Sequence, residues 1–262
     1  MKRIIAVLLA AMMIASVAML AGCGDNSTKD TDSADDAKKT LTMATNAEFP
    51  PYEYKEDGVN IIGIDAEIAQ KIAEKLDMEL EIKDVDFSTI IEGVKSGKYD
   101  IGMAGMTVNE ERLESVNFST SYAKGVQVVI VPEDSPITSV DDLLAEDATY
   151  KVGTQEATTG YLYVSDDIGE DRTVAYKSGN LAVASLVSGK VDCVVIDNEP
   201  AKAYVEENPG LKILDTEYVT EDYAICVAKE NTELLDNINS ALDELIADGT
   251  VQSIIDKYIK AD

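Results

Sequence analysis

The stretches VKSGKYDIGMAG (residues 94–105) and VSGKVDCVVIDN (residues 187–198) repeat one pattern and decide the fold that we predict. Each runs from the end of a helix through Ser-Gly-Lys and an aspartate into a short apolar strand. Five residues after that aspartate stands Gly105 in the first stretch and Asp197 in the second. Open α/β sheets bind ligands beyond the carboxyl ends of their strands. We therefore expect two halves that face each other across a cleft.

Apolar patterns elsewhere in the chain alternate between strands and helices. The short apolar run at 41–45 predicts a buried strand, and apolar residues spaced three and four apart over 65–76 predict a helix. Two further helices are predicted within 234–259. This alternation predicts an α/β fold whose sheets are mostly parallel and flanked by helices. Asp100 and Asp192 precede their strands, at the end away from the cleft, so we assign them structural roles.

Residues 1–22 have the features of a signal peptide. Two basic residues precede an uncharged apolar run that ends in Leu-Ala-Gly-Cys. This ending resembles the bacterial lipobox, after which cleavage leaves Cys23 as a lipid-carrying first residue. Ordinary secretion with an incidental cysteine is the alternative. The charged segment that follows cannot bury enough apolar surface to order itself, so we expect residues 23–39 to form a lipidated, disordered tether.

The composition excludes several classes of function. The chain has 22 Lys and Arg against 50 Asp and Glu, a formal net charge of −28, and such a surface repels nucleic acid. It contains no histidine, which removes histidine-based triads and imidazole metal sites. Cys193 and Cys226 both lie in apolar runs, so buried free thiols are expected, although a disulfide between them stays open.

A carboxylate-binding group is predicted in the segment that follows the first repeat. Thr107 and Glu110 fit a capping box, which would begin a short helix at Thr107 and place Arg112 in its second turn. The free N–H groups of such a helix start favour an anion, and a guanidinium adds a planar fork that matches a carboxylate. Gly105 lets the backbone approach closely. The alternative is that Arg112 pairs on the surface with a neighbouring glutamate.

A second hydroxyl-bearing turn lies in the other half of the chain. Thr158 and Thr159 follow a predicted strand and precede a helix-like stretch, so they could direct donors at the same anion or simply cap the helix. Asp197 ends an apolar strand, where its carboxylate can bind an ammonium group. The alternative is that Asp197 caps the helix whose first turn contains Pro200.

Aromatic residues gather after the predicted strands. The chain has three phenylalanines, and two of them, Phe49 and Phe87, stand at strand-to-helix junctions, with Tyr52 and Tyr54 nearby. Facing rings could sandwich an apolar stem or attract a cation. The alternative is core packing beneath a loop.

Together these stretches resemble the extracellular solute-binding proteins of family 3, the amino-acid receptors of ABC importers. The resemblance covers residues 40–262 and is most specific in the block DFSTIIEGVKSGKYDIGMAGMTVNEERLESVNFSTSY (86–122). ATNAEFPPYEY (44–54), GKVDCVVIDNEPA (189–201) and ALDELIADGTVQSIIDKY (241–258) carry it further.

The resemblance implies a set of ligand-binding residues. The α-carboxylate would be held by an arginine, hydroxyls and turn backbone, the α-ammonium by a strand-end acid, and the side chain by a separate group of residues. The residues for the α-carboxylate are Arg112, Thr107, Ala104, Gly105, Thr158 and Thr159. The residue for the α-ammonium is Asp197, and those for the ligand side chain are Asn46, Glu48, Phe49 and Phe87. The sequence departs from the family where many members have Asp at Asn46 and Gly at Ala157.

The resemblance also implies an architecture. The fold would be a two-lobed, type II periplasmic-binding-protein-like α/β fold, with lobe 1 formed by 40–124 and 229–262. Lobe 2, with the hinge strands, would be 125–228. Closure of the lobes would trap the ligand between them.

We expect a monomeric receptor that delivers an amino acid to an ABC transporter permease and touches the membrane through its lipid anchor alone. It would need no cofactor, no metal and no nucleic acid. The alternatives are an enzyme on the same fold, such as a periplasmic dehydratase or a murein-cleaving lipoprotein, and a sensor domain. Two rings with Asn46 and Glu48 favour a polar or basic ligand: arginine, lysine, histidine, glutamine or cystine.

Overall fold

A computed structural model describes residues 39–260 of the chain. The predicted signal peptide (1–22), the lipidation at Cys23 and the tether up to residue 38 lie outside the described residues. Within residues 39–260, no helix is both long enough and apolar enough to cross a membrane.

The described residues alternate between strands and helices along most of their length. The strands are β1 Lys39–Thr45, β2 Glu48–Phe49, β3 Glu53–Lys55, β4 Ile61–Ile62, β5 Met78–Asp84, β6 Ile101–Gly102, β7 Val116–Phe118, β8 Ala123–Pro132, β9 Val152–Gln155, β10 Thr173–Tyr176, β11 Cys193–Asp197, β12 Leu211–Ile213, β13 Val219–Tyr223 and β14 Cys226–Ala228. The helices are α1 Ile64–Lys75, α2 Ile90–Lys95, α3 Glu110–Ser115, α4 Asp141–Leu144, α5 Thr159–Ile168, α6 Gly179–Val187, α7 Asn198–Glu207, α8 Thr232–Ala247 and α9 Thr250–Tyr258.

Two large sheets carry the fold. The first has the order β5-β1-β6-β14-β7, and the second has the order β10-β9-β11-β8-β12, with β13 also paired to β8. In each sheet three neighbouring strands are parallel, and antiparallel strands extend the sheet on one side. Helices pack on the sheets, as α1 does on β5 and α6 on β9. The α/β fold class predicted from the sequence is confirmed.

The repeated sequence pattern is also a repeated structure. β6 and β11 are the strands of the two repeats, and each pairs in parallel with the first strand of its sheet's parallel set, β1 or β9. Asp100 accepts the backbone N–H of Thr42 at 2.7 Å, and Asp192 accepts that of Lys151 at 2.7 Å. The glycine of each Ser-Gly-Lys segment has a left-handed φ, +73° at Gly97 and +70° at Gly189. The two aspartates therefore fasten the amino-terminal ends of β6 and β11, which leaves the opposite ends for a site.

The chain passes twice between the two sheets. It leaves the first sheet after β7 and enters the second at β8, and it returns between β13 and β14. Ala224 and Ile225, the two residues between β13 and β14, are fully buried. Cys193 in the second sheet and Cys226 in the first are buried free thiols.

A small three-stranded antiparallel sheet follows β1. Its order is β2-β3-β4, and Phe49 lies opposite Glu53 across the β2–β3 pair. Directly opposed residues of an antiparallel pair project to the same face. Phe49 and Glu53 are both buried, whereas Glu48, the strand position before Phe49, is exposed, so this register decides which side chains face inward.

Candidate ligand-binding site

A partly enclosed cavity lies where strand ends of both sheets meet. Segments after β1 and β6 line one side, and β8, β9, β11 and the start of α5 line the other. Its lining residues are Asn46, Phe49, Glu53, Phe87, Ala104, Gly105, Thr107, Arg112, Gln127, Gln155, Thr158, Thr159, Val195, Ile196 and Asp197. Ten of the eleven ligand-binding residues predicted from the sequence are in this set.

Arg112 is buried in the wall of the cavity. Its side chain donates to the carbonyl of Thr107 through Nη1 at 2.7 Å and to the carbonyl of Ala157 through Nη2 at 3.0 Å. The guanidinium carbon lies 5.4 Å from the centre of the Phe87 ring, in cation–π range. Burial lowers the pKa of Arg112 from its usual value, and the charge of Glu221 opposes that shift. These contacts favour an inward-facing cation over the surface ion pair.

The helix that carries Arg112 begins later than the sequence predicted. α3 starts at Glu110, and Asn109 is its N-cap residue, whose Oδ1 accepts the Arg112 N–H at 2.8 Å. The capping box at Thr107 was therefore wrong, and Arg112 lies in the first helical turn. The physical reason is that Thr107 is held in extended backbone by an antiparallel bridge to Tyr223.

The Thr107 hydroxyl is turned toward the opposite half of the cavity. Its Oγ1 lies 3.4 Å from Oγ1 of Thr159, and both side chains are buried. Thr158 is the N-cap of α5: its hydroxyl accepts the Tyr161 N–H at 3.2 Å and donates to the Gln155 carbonyl at 2.7 Å. Thr158 therefore has the capping role weighed for it, while Thr107 and Thr159 bring two hydroxyls together across the cavity.

Asp197 occupies the N-cap position of α7, but its carboxylate accepts no capping hydrogen bond. The hydroxyl of Tyr223 donates to its Oδ1 instead. Burial, reinforced by the charge of Glu221, raises the pKa of Asp197 to about 7, and the Tyr223 hydrogen bond opposes that rise. A buried carboxylate with a raised pKa gains from a cation placed beside it.

Asn46, Phe49 and Phe87 line the cavity, and Asn46 also joins its two sides. Asn46 donates to the Val85 carbonyl at 3.1 Å and accepts from Nε2 of Gln155 at 2.9 Å. Ala104 and Gly105 form the turn after β6. A Cβ on Gly105 would lie 2.7 Å from a Phe49 ring carbon, so glycine is required for the ring to pack there.

Glu48 does not line the cavity, and its predicted place there was wrong. Its side chain is exposed, whereas the neighbouring Phe49 is buried. Its backbone carbonyl accepts the Tyr204 hydroxyl at 2.6 Å. The reason is the two-residue alternation of a strand, since consecutive side chains point to opposite faces.

Sequence reasoning missed three polar lining residues. Glu53 lies on β3, opposite Phe49, and only the pairing of β2 with β3 places it there. Gln127 and Gln155 lie within apolar strand patterns, β8 and β9. A glutamine within an apolar strand pattern indicates a polar group held inside the protein, and the prediction did not use this signal.

Comparison with known proteins identifies the class to which this fold and site belong. Residues 41–261 match the model of the bacterial extracellular solute-binding proteins, family 3. The match spans most of the chain, and the chain belongs to this family.

Individual relatives cover nearly the whole described region. The "Putative ABC transporter arginine-binding protein 2" of Escherichia coli (strain K12) is 31% identical, over 86% of this chain and 92% of that protein. A solved structure described as an ancestral arginine-binding protein bound to arginine is 39% identical, with a TM-score of 0.78, and covers 85% of this chain and 99% of its own. A second solved structure, described as an ancestral arginine-binding protein bound to glutamine, is 38% identical, with a TM-score of 0.79, and covers 86% of this chain and 99% of its own.

Proposed function

We propose that this protein is an extracytoplasmic receptor that binds one free α-amino acid and delivers it to an ABC transporter permease. One observation carries the proposal. A single cavity contains a buried guanidinium, Arg112, and a buried carboxylate, Asp197, contributed by segments of different sheets. An α-amino acid carries the two opposite charges that such a site would bind.

The carboxylate of the ligand would bind at Arg112. Two of the guanidinium N–H groups already bond to backbone carbonyls, which orients the planar group. The remaining N–H groups, with the hydroxyls of Thr107 and Thr159, can then meet a carboxylate. Charge-assisted hydrogen bonds of this kind contribute about 1.5–3 kcal/mol each.

The α-ammonium would bind at Asp197. Because burial raises the pKa of Asp197 to about 7, the carboxylate in the ligand-free cavity lacks the stabilisation that a cation supplies. The ammonium group supplies it and favours the ionised form.

We propose that residues 40–124 with 229–262 form lobe 1, that residues 125–228 form lobe 2 with the hinge strands, and that the cavity closes by their approach. Direct contacts across the cavity support this. They include Arg112 to Ala157, Gln155 to Asn46, and the hydroxyl of Tyr204 to the carbonyl of Glu48. A ligand that touches both sides would favour the closed state through its differential affinity.

The preferred ligands would be basic or polar amino acids, arginine first. The names of the relatives point that way, and so does the cavity, which joins the rings of Phe49 and Phe87 to the carboxyl of Glu53. Lysine, histidine, glutamine and cystine are the other candidates. The relatives bind solutes, and we propose a receptor without catalytic activity, cofactor or metal.

The remaining parts of the proposal concern the cell. Cys23 would carry the lipid that anchors a monomeric receptor outside the cytoplasm, after removal of residues 1–22. The receptor would deliver its ligand to an ABC permease. Its acidic surface would repel nucleic acid.

A thermal-shift assay of the purified protein tests the proposal. Ligands that bind the folded state raise Tm by mass action, so at least one of the five candidate amino acids should do so. Arg112→Ala and Asp197→Ala should each abolish that shift. Asp166→Ala, which removes an exposed aspartate outside the cavity, is the control and should keep it. Unchanged shifts in both cavity variants would refute the assigned site.

A further inference from the structure

Glu53 is a carboxyl group inside the cavity that lacks an evident partner. The side chain is fully buried on β3 and lines the cavity beside Phe49. Among the residues that the structure describes, no N–H or hydroxyl donor reaches either Glu53 oxygen. A buried, unsatisfied ionised carboxylate is costly, so the group either takes up a proton or awaits a donor.

Asp65, in the first turn of α1, lies next to the start of β3, because its backbone N–H donates to the carbonyl of Tyr52 at 2.9 Å. Its Oδ2 accepts the Gly105 N–H at 2.8 Å and the Tyr122 hydroxyl at 2.9 Å. Its Oδ1 is as buried and as lacking in donors as the Glu53 oxygens. A hydrogen bond between the Glu53 and Asp65 carboxyl groups requires a proton on one of them, and such a bond raises the pKa of Glu53.

The surroundings of the pair favour one retained proton. Burial and then the charge of Asp65 raise the pKa of Glu53 well above its usual range. Burial raises the pKa of Asp65 to about 6, although its donors lower it. Asp197 adds a further negative charge that raises the pKa of Glu53. The Tyr122 hydroxyl donates to Asp65, and, besides burial, the charges of the pair also raise the pKa of Tyr52 and that of Tyr122. The charge of Glu53 raises the pKa of Tyr204 as well, after larger effects of burial, Glu48 and Glu207. Arg112, a cation of the cavity lining, interacts with Glu221 and Asp197.

We propose that Glu53 and Asp65 form a proton-exchanging subsite, which holds one shared proton in the ligand-free protein and loses it when a cationic side chain enters the cavity. This inference rests on the proposed function and adds how the site reads the charge of the ligand side chain. A guanidinium would bring donors to the Glu53 oxygens, which lack them, and a positive charge that replaces the proton. The proton passes to solvent, so the cavity exchanges one positive charge for another.

A neutral side chain has the opposite effect. It leaves the shared proton in place, and the protonated pair can donate one hydrogen bond to it. Because binding of a cationic ligand releases a proton, its affinity should rise with pH, by up to about tenfold per pH unit. This holds over the pH range in which the pair is protonated without ligand and ionised with it. The affinity for a neutral ligand of the same shape should lack this component.

Isothermal titration calorimetry of arginine and citrulline on the whole protein tests this. The two ligands share shape, α-carboxylate and α-ammonium, and differ in the charge of the side chain. Titrations at about pH 7, in buffers with different ionisation enthalpies, count the protons released. Both ligands have the same α-ammonium group, so any proton that Asp197 releases when this group binds cancels when the two proton counts are subtracted. We expect arginine to release up to about one proton more than citrulline, and equal release would overturn the proposal.

The variant Glu53→Gln locates the source of the proton. It keeps the size of the side chain and cannot ionise. We expect the extra proton release to disappear and the preference for arginine over citrulline to fall at least about tenfold. Undiminished extra release in Glu53→Gln would assign the proton elsewhere. Failure of both ligands and all candidate amino acids to bind the wild type would refute the proposed function instead.

Discussion

Two charged regions of the cavity, around Arg112 and around Glu53, differ in how their hydrogen bonds are made. The Arg112 guanidinium is held by two backbone carbonyls and a ring before any ligand is present. The Glu53 carboxyl has no such donors and lies beside a second acid, Asp65.

The difference shows how one cavity can treat two parts of a ligand differently. A preorganised group binds without further ordering, and so it suits the feature common to all α-amino acids, the carboxylate. A group that can exchange a proton responds to charge, and so it suits the variable side chain.

The largest effect is expected for Arg112→Lys. Lysine keeps the charge but loses the planar fork, so it cannot bond to Thr107, Ala157 and a ligand carboxylate in the same way. We expect affinity for every bound amino acid to fall about 100-fold or more, whether its side chain is charged or neutral. Calorimetry with arginine and glutamine measures this.

Arg172→Lys is the matched control. Arg172 also donates to two backbone carbonyls, those of Tyr150 and Leu143, and lies outside the cavity. Affinity should change by less than about threefold, within the small effects of distant substitutions. A loss at Arg112→Lys confined to cationic ligands would contradict the division of roles.

A smaller effect concerns the pH dependence of stability without ligand. Burial raises the pKa of Asp65 to about 6, that of Asp197 to about 7, and that of Glu53 well above its usual range. The folded state therefore holds protons that the unfolded state loses. This contribution is complete below the unfolded pKa values and is lost as pH rises through the folded ones. We expect the free energy of unfolding to fall by roughly 4 kcal/mol between about pH 5 and 8.

Urea unfolding at both pH values measures this decline, and Glu53→Gln should make it smaller because it removes one of the titrating groups. Glu56→Gln, which changes an exposed glutamate just after β3, should leave it unchanged. A decline of the same size in Glu53→Gln as in the wild type would show that the carboxyl pair retains no proton.

The preorganised region was the easier one to predict. The repeat of 94–105 and 187–198 marks two strand ends by spacing alone, and the aspartates that fasten those strands make the spacing structural. Arg112 follows one end and Asp197 is the other. Their places in the cavity follow from local chain geometry that a single sequence carries.

The proton-exchanging region was missed because it depends on long-range contacts. Glu48 and Glu53 are alike as sequence, and only the pairing of β2 with β3 puts one outside and the other inside. Asp65 meets Glu53 through tertiary packing. The choice between Thr107 and Asn109 as helix cap was also decided at a distance, by the bridge from Thr107 to Tyr223.

The smallest effect is expected for Ala157→Gly, which tests whether the preorganisation at Arg112 involves backbone strain. Ala157 has a left-handed φ of +61°, and its carbonyl accepts from Arg112. That conformation costs a non-glycine residue about 1–2 kcal/mol. Glycine removes this cost but also raises the conformational entropy of the unfolded chain, which offsets part of the stabilisation. We expect the free energy of unfolding to rise by about 0.5–1 kcal/mol, measured in urea.

Gly189→Ala measures the same backbone cost in the opposite direction. Gly189 has a φ of +70°, and a Cβ there would meet no atom within 4 Å, so the substitution introduces the left-handed strain without a clash. Its loss of stability should match the gain at Ala157. If Ala157→Gly gains less than Gly189→Ala loses, the alanine methyl makes favourable contacts in the turn that offset its strain. If Ala157→Gly destabilises the protein outright, the carbonyl that orients Arg112 is held without strain, and the rigidity of that region comes from its hydrogen bonds alone.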